Sequence, residues 1–495
     1  MDATTLTLHP AFPVGEVDER VFGGFLEHLG RAVYDGIYNP GSAHADVDGF
    51  RTDVLDALRT LDMTTMRYPG GNFVSGYHWI DGVGPKDERP TVQSRAWHTV
   101  ETNAFGTDEF IRLCRRMSWT PMFTVNLGTG TPEEAADWVE YTNADAGTVY
   151  ADMRVENGFP DPHGVKLWCL GNELDGPWQL GHVPAREYAL RAQQAAGIMK
   201  AVDPDIELVA CGSSGVTMPT YAEWDRTVLG IVGDSADYIS LHRYVENVTD
   251  DTADYLAVTR SIDRQIEEID AVCRCVQAER GSAKRAYLSF DEWNVWFQHR
   301  RRRQRDTGLG PVENYYTLED ALVVAGFLNS FLRHADVVKI ANLAQIVNVI
   351  APVVTRGDDL LVQSIYHAFE MFSKRRRGVS LRVSLDGPTY ASPSYGTVHT
   401  VDASSILDGD RLHVFAVNRS LDATAEVRLN VPGAAVREVE NAELLTGPAP
   451  DAANSFDEPD VVRSRAFDDV EVKTAAARAL LPSLSLTALT FRLDR

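Results

Sequence analysis

Cysteine is scarce in this chain. There are five (Cys114, Cys169, Cys211, Cys273 and Cys275) among 495 residues, an odd number with no pair at zinc-type spacing. That argues against a disulfide framework and fits a reducing cytoplasm. Long apolar runs are missing as well, and none approaches the roughly 20 residues that cross a bilayer. The opening residues, MDATTLTLHP, have neither a basic head nor an apolar stretch, so no signal peptide is expected. Positive charge is in deficit: 47 Lys and Arg face 71 Asp and Glu, for a net charge of −24. Such a surface repels nucleic acid and anionic membranes, and neither is expected as a partner. Two basic runs oppose the trend, RRRR at 300–303 and KRRR at 374–377. Each reads as an anion patch or, more in keeping with the acidic whole, as charge at a loop or helix end or a subunit contact.

The chain is too long for one small domain, and 44% hydrophobic residues suffice for a large core. No sequence repeat is present, but a structural rhythm is. Eight apolar, β-rich runs recur: VFGGFLEH (21–28), MTTMRYPGG (63–71), PMFTVNLG (121–128), KLWCLGNE (166–173), IELVACGSS (206–214), DYISLHRY (237–244), AYLSFDEWN (286–294) and VVKIANLAQ (337–345). Most read as strands buried on both faces. Helical patterns separate them. Val54, Leu55, Leu58 and Leu61 share one face, Thr131 and Glu134 form a capping box, and a long helix from about 183 stops before Pro204. Eight strands alternating with helices predict an α/β chain folded as a (β/α)8 TIM barrel over 16–380. A doubly wound sheet is the rival, but no glycine-rich phosphate loop follows the first strand. From 381 to 495 the texture turns to strand alternation with Asp-Gly turns, which predicts a C-terminal antiparallel β-sandwich, jelly-roll-like. Residues 1–15 are expected to add a strand to it, and the loop 445–462 to be exposed.

In such a barrel the active site lies at the C-terminal strand ends. The sequence places Glu27 there from the first run, Arg67 and Asn72 from the second, and Asn172-Glu173 from the fourth. The sixth run gives His242 and Tyr244, the seventh Asp291-Glu292 with Trp296 beyond it, and the eighth Gln345. Each alone has a plain structural explanation: a strand-end Glu is ordinarily a helix cap or ion-pair partner, a lone His a satisfied core residue, and Trp178 or Trp296 mere packing. Together they mark one rim. Two carboxyls with amides and aromatics suit glycosidic bond cleavage, with one acid protonating the leaving oxygen and the other attacking the anomeric carbon or activating water. No His-x-His or His-Glu-x-x-His pattern sits at a strand end, so neither metal nor cofactor is expected.

The GNE closing the fourth run and the Glu closing the seventh resemble clan A glycoside hydrolases. RYPGGNFVSGYHWIDGVGPKDERP (67–90), FGGFLEHLGRAVYDGIY (22–38), GNELDGPWQ (171–179) and DEWNVW (291–296) resemble glycoside hydrolase family 51, mostly α-L-arabinofuranosidases, along the whole chain. The resemblance implies a retaining, exo-acting enzyme on arabinose-containing oligosaccharides, with Glu173 as acid/base, protonated and raised in pKa, and Glu292 as ionised nucleophile. It implies that Arg67 and Tyr244 hold Glu292 and that His242 orients Glu173. Asn172 would bind the sugar 2-OH, Glu27, Asn72 and Gln345 other hydroxyls, and Trp296 would form an apolar wall. A homo-oligomer, often a hexamer, is also implied. The segment 299–316 follows the nucleophile as a variable loop that shapes the leaving-group side, with Tyr315 and Tyr316 either in that wall or packed. A β-xylosidase or endo-β-glucanase using the same pair, and a binding protein without catalysis, are the rival readings.

Overall fold

The computed structural model describes residues 3–298, 312–473 and 476–494, so the RRRR run and most of the loop 299–316 lie outside the described residues. Each of the eight apolar runs contains, to within one residue at an end, a barrel strand: Gly23–Phe25, Thr65–Tyr68, Thr120–Thr124, Leu167–Leu170, Glu207–Ala210, Tyr238–Val245, Tyr287–Val295 and Val338–Ala344. They close in chain order into a barrel, and every neighbouring pair is parallel. Met122, Leu167, Cys169, Val209, Tyr238 and Ile340 form a separate cluster that fills the barrel, so the ring is a packed core and not a pore.

Local signals explain the surrounding helices. Thr52–Thr60 buries Val54, Leu55 and Leu58 on one stripe. Pro132–Asn143 begins at Thr131, whose side chain accepts from the Glu134 N–H. The expected capping box is only half formed, because the Glu134 carboxylate pairs with His78 at 2.9 Å instead of turning back. Ala185–Val202 ends one residue before the Asp203-Pro204 step.

The C-terminal region forms a ten-stranded sheet that also takes in Thr4–Glu16. Its second strand, Ala435–Thr446, also contacts Val470–Lys473 and Ala476–Leu481 from the other end of the sheet. The sheet therefore curls around its own core of Leu6, Leu8, Leu381, Val414, Leu481 and Phe491. The sheet is not wholly antiparallel: Thr4–Glu16 runs parallel to Ala425–Asn430. No hairpin links these two segments, so no short turn dictates their relative direction. The Asp-Gly signal does mark a turn, where Gly409, at φ +58°, joins Val401–Asp408 to Arg411–Asn418.

One further expectation changes, and the two readings of the KRRR run are decided in favour of charge at a helix end. The loop after Thr446 is not simply exposed: its Pro450 and Ala452 carbonyls accept from the N–H groups of Glu319 and Leu318, at the start of the helix Leu318–Arg333. Orphan helix-end donors recruited it to the barrel. The KRRR run is not an anion patch, because Lys374 pairs with Glu370, Arg375 with Glu443, Arg376 with Glu19 and Asp62, and Arg377 with Glu19. Arg375 is the buried member, and it joins the barrel helix Ser364–Ser373 to the strand Ala435–Thr446. Breaking such a pair from one side costs about 3 kcal/mol. Arg375→Ala should therefore lower the thermal midpoint in calorimetry, while Arg377→Ala, at the exposed end of the run, should leave it nearly unchanged.

Candidate active site

Strand seven carries the central irregularity. Ser289 lies across from Ser240, but it is Glu292 that lies across from His242, so one extra residue is accommodated between them. Consecutive strand residues normally face opposite ways. A bulge breaks that alternation and re-aims a side chain, so that Asp291 and Glu292 both turn their carboxyls onto Arg67. The Arg67 guanidinium, fully buried, donates from Nη1 to Glu292 Oε1 at 2.8 Å and from Nη2 to Asn172 Oδ1 at 2.7 Å. Its Nε lies 3.3 Å from Asp291 Oδ2, and its carbon stands 4.7 Å over the Phe25 ring.

Glu173 arrives differently. Strand four stops at Leu170, and the chain turns through two left-handed residues, Gly171 at φ +91° and Glu173 at +45°. The turn brings Glu173 Oε1 to 2.8 Å from His242 Nδ1, while Oε2 accepts from the Trp178 indole N–H at 2.7 Å. Tyr244 donates to Glu292 Oε2 at 2.9 Å, and His242 Nδ1 is 3.4 Å from that oxygen. Trp296 meets the Tyr244 ring edge to face. One oxygen each of Glu173 and Glu292 and one His242 nitrogen lie within 4.8 Å of one another.

Glu27 forms a second wall. Its Oε1 accepts from the Phe73 N–H at 3.0 Å and the Trp97 indole at 2.9 Å, and Gln345 Oε1 accepts from the Glu27 N–H at 3.0 Å. The glycines of RYPGGN are needed here. A side chain at Gly70 would strike the Glu27 Cβ at 2.6 Å, and one at Gly71 would meet Glu27 and Glu292 oxygens at 3.0 and 3.2 Å. Asn72, half-buried, opens the short helical turn Asn72–Gly76 beside them.

The structure thus brings Glu27, Arg67, Asn72, Asn172, Glu173, His242, Tyr244, Glu292, Trp296 and Gln345 to one end of the barrel. Other strand-end amides are structural: Asn126 ties its own loop, Asn294 bonds the Ala344 and Ile350 carbonyls, and Asn342 bonds the Gly24 carbonyl. Tyr316 is packed, its hydroxyl on the Val295 carbonyl, whereas Tyr315 is half-buried. Sequence reasoning missed Trp97, which lies in the loop of the hairpin Val92–Ser94 and Thr99–Glu101, away from any strand end. It also left Trp178 as packing, although that ring is half exposed and bonds Glu173.

Burial pushes the Glu27 carboxyl up to about 8, with the Glu292 charge adding to it. Burial also raises Glu292, against the pull of His242 and Arg67. The sequence reading placed the raised carboxyl at Glu173 and an ionised one at Glu292. The structure raises Glu292 because burial outweighs its cationic neighbours. Burial works on Asp291 too, but Arg67, His242 and the Ser240 hydroxyl outweigh it and hold that carboxyl down. For His242, burial is outweighed by Glu292, Asp291 and Glu173, which keep the imidazole protonated. A protonated imidazole has no lone pair for a metal, so the Glu173–His242–Glu292 grouping is better matched to protons than to an ion.

A parallel barrel with two carboxyls facing each other at its C-terminal rim is the arrangement of many glycoside hydrolases. The family descriptions "Alpha-L-arabinofuranosidase 1 domain" and "Alpha-L-arabinofuranosidase C-terminal domain" match residues 57–260 and 291–485. The chain is 43% identical over 99% of its length, and 75% of the relative's, to an intracellular exo-α-(1→5)-L-arabinofuranosidase of Streptomyces lividans. It is 39% identical, over 99% of its length and 97% of the relative's, to an exo-α-(1→6)-L-arabinofuranosidase of Bifidobacterium longum. A solved family 51 α-L-arabinofuranosidase from Bifidobacterium longum superposes with a TM-score of 0.94 at 35% identity, covering 99% of this chain and all of that one. The chain belongs to the α-L-arabinofuranosidases of glycoside hydrolase family 51.

The raised Glu27 carboxyl has a measurable consequence. Between its ordinary 4.5 and about 8 the folded protein holds a proton that the unfolded chain has lost, so stability falls as pH rises through that window. Glu27→Gln removes this dependence. Its melting temperature relative to the parent protein should climb between pH 4.5 and 8.5, by an amount equivalent to a few kcal/mol. A constant difference across the range would show that Glu27 is not held neutral.

Proposed function

We propose that the protein is a retaining, exo-acting α-L-arabinofuranosidase that removes terminal α-L-arabinofuranosyl units from arabino- or arabinoxylo-oligosaccharides by double displacement. The separation of the two carboxyls carries this reading. Oxygens of the two within 4.8 Å of each other suit a retaining pair, with carboxyls about 5–5.5 Å apart, better than an inverting pair at about 6.5–9.5 Å, which must hold a water between carboxylate and sugar.

Glu173 is the acid/base. Its carboxyl is the more open of the two and lies beneath the half-exposed Trp178, on the side from which a leaving group departs. It gives its proton to the glycosidic oxygen as the bond to the anomeric carbon breaks, and Glu292 bonds that carbon. Water then attacks the same carbon, Glu173 takes the water's proton, and the bond to Glu292 breaks to release arabinose. Arg67 and Tyr244 fix the Glu292 oxygens and favour the anion each time it is released. His242 orients Glu173, and Asn172, anchored by Arg67, presents its amide to the sugar 2-OH. Glu27, Asn72 and Gln345 read other hydroxyls, and Trp296 supplies an apolar wall. The close packing of Glu27, Gly71 and Trp97 suits a compact terminal furanose rather than a continuous chain. Relatives named intracellular, and a cysteine pattern suited to reducing conditions, support a cytoplasmic location and imported short oligosaccharides. A homo-oligomer rests on the family resemblance.

Rates on the 4-nitrophenyl glycosides of α-L-arabinofuranose, β-D-xylopyranose and β-D-glucopyranose test the assignment. A clear preference for the first is expected, and equal or higher rates on another would overturn it. Glu292→Ala should lose about 10⁴-fold or more on every substrate. Glu173→Ala should slow substrates with poor leaving groups by about 10²–10⁴ and good ones far less in the first step. Equal losses on both would remove Glu173 from the acid role.

A further inference from the structure

A buried carboxyl that the mechanism does not use lies two residues beyond the acid/base. Asp175 is 4% exposed. Its Oδ2 accepts from both the backbone N–H and the hydroxyl of Ser214, at 3.0 and 3.2 Å, on the loop after strand five. Its other oxygen is buried without a hydrogen-bond partner. Ser214 is itself anchored: the neighbouring Ser213 donates from its N–H and hydroxyl to Asp225, on the helix Glu223–Val232. A line of hydrogen bonds therefore runs from that helix to the left-handed turn at Glu173, which the Gly176 N–H closes onto the Glu173 carbonyl at 2.8 Å.

An asparagine would meet Ser214 equally well and carry no charge, and a bare buried carboxylate oxygen is costly. A carboxylate here has use only if its charge has use. The charged and titratable groups around Asp175 are Glu173 on its own loop, His242 from strand six and the Cys211 thiol at the end of strand five.

We propose that Asp175 is a positioning residue for the reaction: held by Ser214, it fixes the turn that presents Glu173 and keeps a negative charge behind it. A like charge nearby favours the protonated form of an acid, which is the form the first step consumes. The group is poised for this, since burial pushes its carboxyl up to about 6, partly offset by Ser214, so it is charged at neutral pH and discharges just below. The inference rests on the acid/base reading of Glu173.

The test is the pH dependence of kcat/KM on an arabinofuranoside with a poor leaving group, for Asp175→Asn and Ser214→Ala beside the parent enzyme. Asp175→Asn should move the alkaline limb down by roughly half a unit to one unit. The rate would then fall about three- to tenfold near pH 8 and less than about twofold near pH 5.5. Ser214→Ala removes a donor to the charged form, so its loss should be confined to about pH 6–7, where Asp175 would take up a proton early. A loss in Asp175→Asn that is the same at every pH, or an unmoved limb, would reduce Asp175 to a structural residue and overturn the proposal. If Asp175→Asn does not fold, a pH-uniform loss in Ser214→Ala overturns it equally. Failure of the leaving-group dependence in Glu173→Ala would sink the acid/base reading itself, a separate result.

Discussion

Arg67 is buried at the floor of the site, and its guanidinium meets four side chains from three different strands or strand ends. Phe25 stacks on it, Asn172 and Glu292 accept from its two terminal nitrogens, and Asp291 stands 3.3 Å from its Nε as a second counter-charge. A buried guanidinium is tolerated only when its charge is balanced and its fork is matched in plane. That requirement reaches outward. It demands a second carboxylate beside Glu292, which the bulge in strand seven supplies at Asp291. It fixes Asn172, and therefore the direction in which the chain turns toward Glu173. It explains why the residues next to Arg67 are a Tyr-Pro-Gly-Gly sequence: the backbone must pass between Glu27 and Glu292 at a distance no side chain permits. The site is an electrostatic balance organised around one cation, with His242 as the second.

Much of this was legible in the chain. Eight apolar runs separated by helical patterns leave few alternatives to a closed parallel barrel, and polar residues placed at the ends of those runs converge when the barrel closes. The two glutamates are 119 positions apart, yet the strand ends carry them together. What stayed hidden depends on geometry that no spacing encodes. A bulge is one residue of register, invisible in a run as apolar as AYLSFDEWN. Trp97 comes from a hairpin loop whose reach over Glu27 is set by tertiary packing. The upward push on Glu292 follows from its burial, which no sequence spacing reports.

The second domain was legible by texture but not in detail. Alternating strands announce a β-rich module, but pairing direction is free when no short turn joins the partners, and the N-terminal strand uses that freedom. The KRRR run shows the limit of reading charge by composition. Its cations meet acids distant in sequence, among them Glu19, Asp62 and Glu443, so a run that looks like a ligand patch is the seam between two domains.

The central claim is that Glu173 and Glu292 work as a pair too close for an intervening water. Proton NMR of the first sugar released from an aryl α-L-arabinofuranoside, recorded before the free sugar's anomers equilibrate, reports this directly. The account predicts that α-L-arabinofuranose appears first and the β-anomer follows only by mutarotation. Initial appearance of the β-anomer would mean a single displacement by water and would contradict the roles given to both carboxyls.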